Sequence, residues 1–121
     1  MDRVKFIDHK EQKILHIDLS DCSVERALQI IEYSKKIIRE QTEQSVLALT
    51  NFNNDNAFLP DLFQAMKEFA QHNRPYVKAS AIIVYKDIHK IFFDTMASLT
   101  DRVFEIFEDT EEAKDWLVKT A

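Results

Sequence analysis

The amino-acid sequence predicts a single α/β domain in which a mixed sheet is packed with helices. Short runs of strand-forming residues alternate with longer segments whose apolar residues recur at helical spacing. Strands that are separated by helices need crossover connections, and this makes them parallel. The chain has 121 residues and is 45% hydrophobic and 31% charged, which suits one domain with a buried core. We therefore expect residues 1–121 to form one domain.

The first two predicted strands form a hairpin. Residues 4–8 and 13–19 are rich in strand formers, and the polar stretch HKEQK between them predicts a loop of several residues. In the second run Leu15, Ile17 and Leu19 alternate with polar residues at period 2. The first strand is expected to be antiparallel, at an edge of the sheet.

The first helix and the third strand follow. Ser23 is placed to cap a helix that runs to about Gln41, because apolar residues from Val24 onward fall on one face. Residues 45–50 (SVLALT) are nearly all apolar, as is typical of strands that are covered on both faces. This third strand is therefore expected inside the sheet.

The second helix is predicted to begin at Pro60, which suits a first helical turn, and to end near Asn73, before Pro75. Its apolar residues recur at the i, i+3, i+4, i+7 spacing. Residues 76–84 (YVKASAIIV) predict the fourth strand.

A third helix is predicted from Asp87, and residues 103–107 predict a fifth strand. Asp109 and Glu112 have the spacing of a capping box at the start of a fourth helix. The predicted order is β-β-α-β-α-β-α-β-α, with the first strand antiparallel and the other four parallel. The core-facing stripe predicted for the third helix consists of Ile88, Ile91, Phe92, Thr95, Met96 and Leu99.

Composition excludes several function classes. The chain has no glycine, so the phosphate loop, the dinucleotide fingerprint and the nucleophile elbow, which all need glycine, are excluded. Its net charge is -5 and its lysines are scattered among acids, so nucleic acid is not expected as a partner.

Cellular location is predicted from cysteine content and from the first residues. Cys22 is the only cysteine, which excludes an intramolecular disulfide, and the charged start MDRVKFIDHK does not resemble a signal peptide. No long apolar run is present to span a membrane. These features predict a cytoplasmic protein.

The segments VKFIDHKEQKILHIDLSDCS, EFAQHNRPYVKASAIIV and EEAKDWL resemble small bacterial and archaeal proteins of the SpoIIAA-like, STAS/SEC14 group. The resemblance covers nearly the whole chain. Its most specific piece is HNRPYVKASA, in which a helix end, Pro-Tyr and an Ala/Ser-rich strand occur together. The resemblance implies a STAS-like fold without chemistry of its own. STAS domains are regulatory partners of other proteins, so it also implies a regulatory role.

The chain departs from this group at two places. The antagonist branch has a phosphorylatable Ser or Thr in an Asp-Ser-Gly setting, whereas this chain has Thr50, Asn51, Phe52 and Asn53 there, and so Thr50 is not predicted to be a phosphorylation site. Glycines that are common between the fourth strand and the third helix are replaced by residues 85–87 (YKD), so a ligand loop that uses them is not predicted.

Candidate chemical groups are few. His16 and Asp18 share one side of the second strand, and with Asp21 or His9 they could form an acid/base or metal cluster, but a polar strand face near a sheet edge is the favoured interpretation. Cys22 has no partner expected of a nucleophile or redox pair, so a structural thiol is favoured. We predict no catalytic residues, no metal and no cofactor.

The loop of residues 50–58 and the third helix are predicted to form an interaction surface. The alternating oxygen side chains of Asn51, Asn53 and Asp55 are similar to those of a calcium loop, but the turn glycine is missing, so a solvated loop is favoured. The loop nevertheless leaves the carboxyl end of a parallel strand, where ligands bind in open α/β sheets. Phe93 lies outside the predicted core stripe and is expected to be exposed. The predicted surface comprises Thr50, Asn51, Phe52, Asn53, Asp55, Phe58, Phe92, Phe93 and Met96.

These observations favour a noncatalytic regulatory or scaffold module that binds another protein, either a different protein or a second copy. The alternative is a carrier or sensor that binds a lipid-like or other small apolar ligand in a pocket under the third helix. An enzyme is the weakest of the three hypotheses. A carrier needs a cavity of several hundred Å³, so cavity volume distinguishes it from the interaction module.

Overall fold

The computed structural model describes all 121 residues and has five strands and four helices in the predicted order. The elements are β1 (Val4–His9), β2 (Gln12–Asp18), α1 (Val24–Arg39), β3 (Val46–Asn51), α2 (Pro60–Asn73), β4 (Val77–Ile83), α3 (Asp87–Thr100), β5 (Glu105–Phe107) and α4 (Thr110–Thr120). The strands lie side by side in chain order. β1 is antiparallel to β2 and the other neighbours are parallel, which confirms the predicted fold class.

Helices cover both faces of the sheet. One face packs against α1, α2 and α3 in a core of 21 buried residues, and the other packs against α4 in a smaller core of 8. The central strand β3 contributes to both, because Ala48 faces the larger core while Leu47 and Leu49 face the smaller one. The prediction that this apolar strand lies inside the sheet is therefore confirmed. None of the four helices combines the length and the apolarity needed to cross a membrane.

The sequence also predicts how three helices begin. The Ser23 hydroxyl accepts a hydrogen bond from the Arg26 N–H, and the Asp109 carboxylate accepts one from the Glu112 N–H. Pro60 is the first residue of α2. The ends differ slightly, since α1 ends at Arg39, two residues before the predicted Gln41.

The β1–β2 connection is shorter than predicted. His9 pairs with Gln12, so only Lys10 and Glu11 form the turn, instead of a loop of several residues. Their φ angles of 49° and 68° are the positive values that a two-residue hairpin turn matching the twist of the strands requires. Asn-Gly usually supplies this geometry, and its absence from the sequence explains the wrong loop length.

The predicted core stripe of α3 is rotated relative to the buried face. His89, Phe92, Phe93, Met96 and Thr100 are the buried residues of this helix. The exposed side contains Ile88, Ile91 and Leu99, which were expected to face the core. Phe93 was expected to be exposed, and this prediction is wrong. Its side chain is 2% exposed and packs edge-on against Phe52 and Phe92.

Candidate functional site

A polar cleft lies where three parallel strands end. Its volume is about 280 Å³. The residues that line it end or follow β2, β3 and β4, or begin α3, as expected for the carboxyl edge of an open α/β sheet. We call it the carboxyl-edge cleft, and its lining residues are Ser20, Asp21, Asn51, Asn53, Asp55, Tyr85, Lys86 and His89.

Asn51 and Asn53 join the three loops that form the cleft through side-chain and backbone hydrogen bonds. The Asn51 Oδ1 accepts hydrogen bonds from the backbone N–H and the Nδ2 of Asn53, at 3.2 and 2.8 Å. The Asn53 Oδ1 in turn accepts one from the Tyr85 N–H at 2.9 Å, and its backbone carbonyl accepts one from the Asp21 N–H at 3.1 Å. The asparagines predicted as a solvated loop therefore hold the cleft walls in place.

Asn54 is a structural residue that sequence analysis did not identify. It is buried, and its Nδ2 donates hydrogen bonds to the carbonyls of Leu19 and Cys22, at 2.9 and 3.3 Å. The loop after β3 is thereby tied to the loop after β2. The run of asparagines in NFNNDN was the sequence signal for such a structural residue. A buried asparagine amide needs several hydrogen-bond partners, and Asn54 finds them in the Leu19 and Cys22 carbonyls.

One wall of the cleft contains an ion pair and a histidine. The Asp55 carboxylate binds the Lys86 Nζ at 2.8 and 3.1 Å, and its Oδ1 lies 3.2 Å from the His89 Nε2. The hydrogen bond from Lys86 is the main reason that the pKa of Asp55 is lowered from its ordinary value. Asp55 therefore remains a carboxylate over the whole neutral range.

His89 stands apart from the other polar residues of the cleft. Its side chain is 2% exposed, and neither ring nitrogen has a hydrogen-bond partner. The Asp55 Oδ1 lies within ion-pair distance, yet the direction of approach does not make a hydrogen bond. Buried imidazoles normally have partners for their ring nitrogens. In the sequence His89 is only a histidine near a helix start, and nothing in the local pattern marks it as buried.

An apolar surface lies next to the cleft. Ile88 and Ile91 are one turn apart on α3, and Leu99 continues this side of the helix. The Phe58 ring lies 5.4 Å from that of Phe92, one turn along α3 from Ile88. We call this the exposed apolar surface, and it consists of Phe58, Ile88, Ile91 and Leu99, each between 44% and 53% exposed.

The nine residues predicted for the interaction surface have three different locations. Asn51, Asn53 and Asp55 line the carboxyl-edge cleft, and Phe58 belongs to the exposed apolar surface. The other five are buried and cannot contact a partner directly, because they pack in the core or inside β3. These buried residues are Thr50, Phe52, Phe92, Phe93 and Met96.

The predicted acid/base cluster does not assemble into one site. His9 turns to α4, where its Nε2 lies 2.7 Å from the Asp115 Oδ1. Asp18 accepts hydrogen bonds from the Ser20 N–H and hydroxyl, and it makes none with His16. Burial lowers the pKa of His16. Asp21 lies in the carboxyl-edge cleft instead, and no group of three or more His, Cys, Asp or Glu residues is arranged to hold a metal ion.

Cys22 has the environment of a structural thiol. It is partly buried, and burial raises its pKa from the ordinary value. Its Sγ lies 3.7 Å from the Leu19 carbonyl oxygen and 3.6 Å from the Asn54 Nδ2. Because the thiolate is the reactive form, a raised pKa lowers the reactivity of this cysteine at neutral pH.

The cavity under α3 is small. Its volume is about 30 Å³, and Met66, Phe93, Met96 and Phe104 are among the side chains that line it. This is the space of a single water molecule, whereas lipid-sized ligands need several hundred Å³.

No protein-family model matches the chain, and neither the curated proteins nor the solved structures include a significantly similar one. Membership of the STAS group therefore stays a prediction from the sequence resemblance.

Proposed function

We propose that this domain is a noncatalytic interaction module that binds a partner protein on its exposed apolar surface. The observation that supports the proposal is the presence of three large aliphatic side chains, Ile88, Ile91 and Leu99, on the solvent side of one helix, with Phe58 beside them. Single exposed apolar residues are common on proteins, but a group of them usually marks a binding surface.

The charges beside this surface favour a basic partner. Asp87 and Asp94 lie on the exposed side of α3, and the neighbouring lysines are already paired, Lys86 with Asp55 and Lys90 with Glu108. Two copies of the chain, each with a net charge of -5, would bring these unpaired aspartates together. We therefore infer a different protein, one that presents an amphipathic helix with Lys or Arg beside its apolar face.

The alternative function, a carrier of lipid-like ligands, has less support. Its ligand would occupy the cavity under α3, which at about 30 Å³ is an order of magnitude smaller than such a ligand requires.

A designed peptide pair tests the proposal. One amphipathic helix has lysines beside a leucine face, and the other has glutamates at the same positions. We expect the basic peptide alone to bind the wild-type protein in fluorescence anisotropy, and Ile91→Asp to weaken binding at least about tenfold because it places a charge in an apolar contact. Phe6→Asp, which changes an exposed aromatic on β1, is the matched control and should bind like wild type.

A photo-crosslinker at position 91 then identifies the natural occupant in cell extract. Crosslinks to a basic amphipathic segment of another protein, absent with the crosslinker at position 6, support the proposal. Crosslinks between two copies of this chain, or equal peptide binding by Ile91→Asp and wild type, would contradict it.

A further inference from the structure

The carboxyl-edge cleft has the features of a small-ligand site that the docking surface does not use. We propose that it binds a small molecule through an oxyanion, a phosphate or carboxylate group, which takes the place of the Asp55 carboxylate against Lys86 and His89. The two sites are separate, because no residue of the exposed apolar surface lines the cleft.

The first argument is the unsatisfied histidine. Both ring nitrogens of His89 are buried without a hydrogen-bond partner, although the residue lines a cleft of about 280 Å³. Leaving buried polar atoms unpaired destabilises a protein, because their hydrogen bonds to water are lost and not replaced. A ligand oxygen that accepts a hydrogen bond from a ring N–H would remove this cost.

The second argument is the start of α3. Its N-cap residue Lys86 provides no side-chain hydrogen bond to the first turn of this 14-residue helix. The free N–H groups of an uncapped first turn carry a partial positive charge and attract anions. The Lys86 ammonium and His89, which lies in this first turn, both contact the Asp55 carboxylate. The acidic residue of the same turn, Asp87, is exposed and does not line the cleft.

The third argument is that a carboxylate already occupies this position. Asp55 binds Lys86 and approaches His89, yet its side chain is 72% exposed on a loop. Such an exposed pair contributes little to stability, so a ligand oxyanion can displace the Asp55 carboxylate at low cost. The exchange replaces one anion by another at Lys86, and a ligand oxygen can make the hydrogen bond to the His89 ring that Asp55 does not make. Asp21, the other carboxylate of the cleft, would oppose the ligand charge and limit the affinity.

A cation fits the cleft less well than an anion. Only Asp21 and Asp55 could contribute carboxylates, and Asp55 is already neutralised by Lys86. The side-chain oxygens of Asn51 and Asn53 already accept hydrogen bonds from the loops. Too few oxygen ligands therefore remain for a hard cation.

Titrations with inorganic phosphate and with acetate, followed by amide NMR, test the proposal and distinguish the two oxyanions. We expect saturable shifts of the amides of residues 87–90 in wild type. Asp55→Asn should bind at least about threefold tighter, because it removes the internal competitor and one repulsive charge. Lys86→Gln should lose most of the binding, and Lys90→Gln, a lysine of the same helix outside the cleft, should bind like wild type.

The sign of the Asp55→Asn effect is decisive. Weaker or unchanged binding by Asp55→Asn would overturn the proposal, as would equal binding by Lys86→Gln and wild type or the absence of saturable shifts with both anions. His89→Gln should also weaken binding. Because the buried His89 also affects folding, the exposed Lys86 provides the variant on which the conclusion depends. Ile91→Asp should leave anion binding unchanged, so failure of this proposal is separable from failure of the docking surface.

Discussion

At the scale of single residues, one carboxylate joins the two ends of the chain. Asp115 on α4 lies 2.7 Å from the His9 Nε2 and 2.9 Å from the Lys10 Nζ, at the tip of the first hairpin. The hydrogen bond from His9, together with that from Lys10, lowers the pKa of Asp115 to about 2. A carboxylate with so low a pKa is better stabilised in the folded protein than in the unfolded chain.

Linkage gives the pH range in which this stabilisation is lost. Because the pKa of Asp115 is lower in the folded state, the stabilisation is complete above the ordinary pKa of aspartate and disappears as the pH falls from about 4 to about 2. We expect Asp115→Asn to have a lower melting temperature than wild type at neutral pH, and this difference to shrink over that range. Asp94→Asn, which removes an exposed carboxylate outside any ion pair, is the control. A difference that stays constant down to pH 2 would contradict the prediction.

At the scale of elements, α3 shows why the buried side of a helix is hard to predict when apolar residues lie on several of its sides. Its aliphatic residues follow helical spacing on the solvent side, whereas its aromatic residues pack in the core. The sequence therefore did not show which side of α3 faces the core. The buried face also contains His89 and Thr100, whose polar side chains concealed it.

Phe93 and Ile91 provide a direct test of this orientation. Phe93 contacts the rings of Phe52, Phe92 and Phe104, so Phe93→Ala should lower the free energy of unfolding by about 3–5 kcal/mol. Ile91 is 53% exposed, and Ile91→Ala should cost less than about 1 kcal/mol. Chemical denaturation measures both. Similar losses for the two variants would contradict the assigned orientation of α3.

The fold was more predictable than the site for a physical reason. Strand and helix signals are local: Ser23 and Asp109 cap helices through hydrogen bonds to residues three positions along the chain, and Pro60 starts α2 through its fixed φ. The prediction of parallel strands also placed the loop after β3 at the carboxyl edge of the sheet. The cleft, in contrast, brings together the ends of β2 and β4 as well, and the link between Asp55 and His89 spans a loop, a helix and a strand. Such a juxtaposition depends on tertiary packing, which spacing along the sequence does not contain.

At the scale of the whole molecule, the chain folds without a single glycine. Five other residues adopt positive φ angles in its place: Lys10, Glu11, Asp21, Gln44 and Asp101. A side chain makes this conformation unfavourable, so each of these positions stores a small cost that the surrounding structure offsets.

Replacing one of these residues by glycine should therefore stabilise the protein. Glu11→Gly should raise the free energy of unfolding by about 1 kcal/mol, because Glu11 has a φ of 68° in the hairpin turn. Glu40→Gly is the matched control, since Glu40 has a φ of -82° at the end of α1 and glycine there adds only flexibility to the unfolded chain. We expect opposite shifts of the denaturation midpoint. Equal shifts of the midpoint for the two variants would show that the positive φ of Glu11 does not destabilise the protein.

The position of α4 affects how the chain is made. This helix alone covers the sheet face formed by Ile14, Leu47, Leu49, Ala79, Ala81 and Ile83, and it leaves the ribosome after all five strands. A chain in which the strands have paired and α1, α2 and α3 cover the opposite face, but α4 has not docked, leaves this face open to water. Chains with an exposed apolar sheet face are prone to associate with one another. Docking of Ala113 and Leu117 is thus the step that removes this face from contact with other chains.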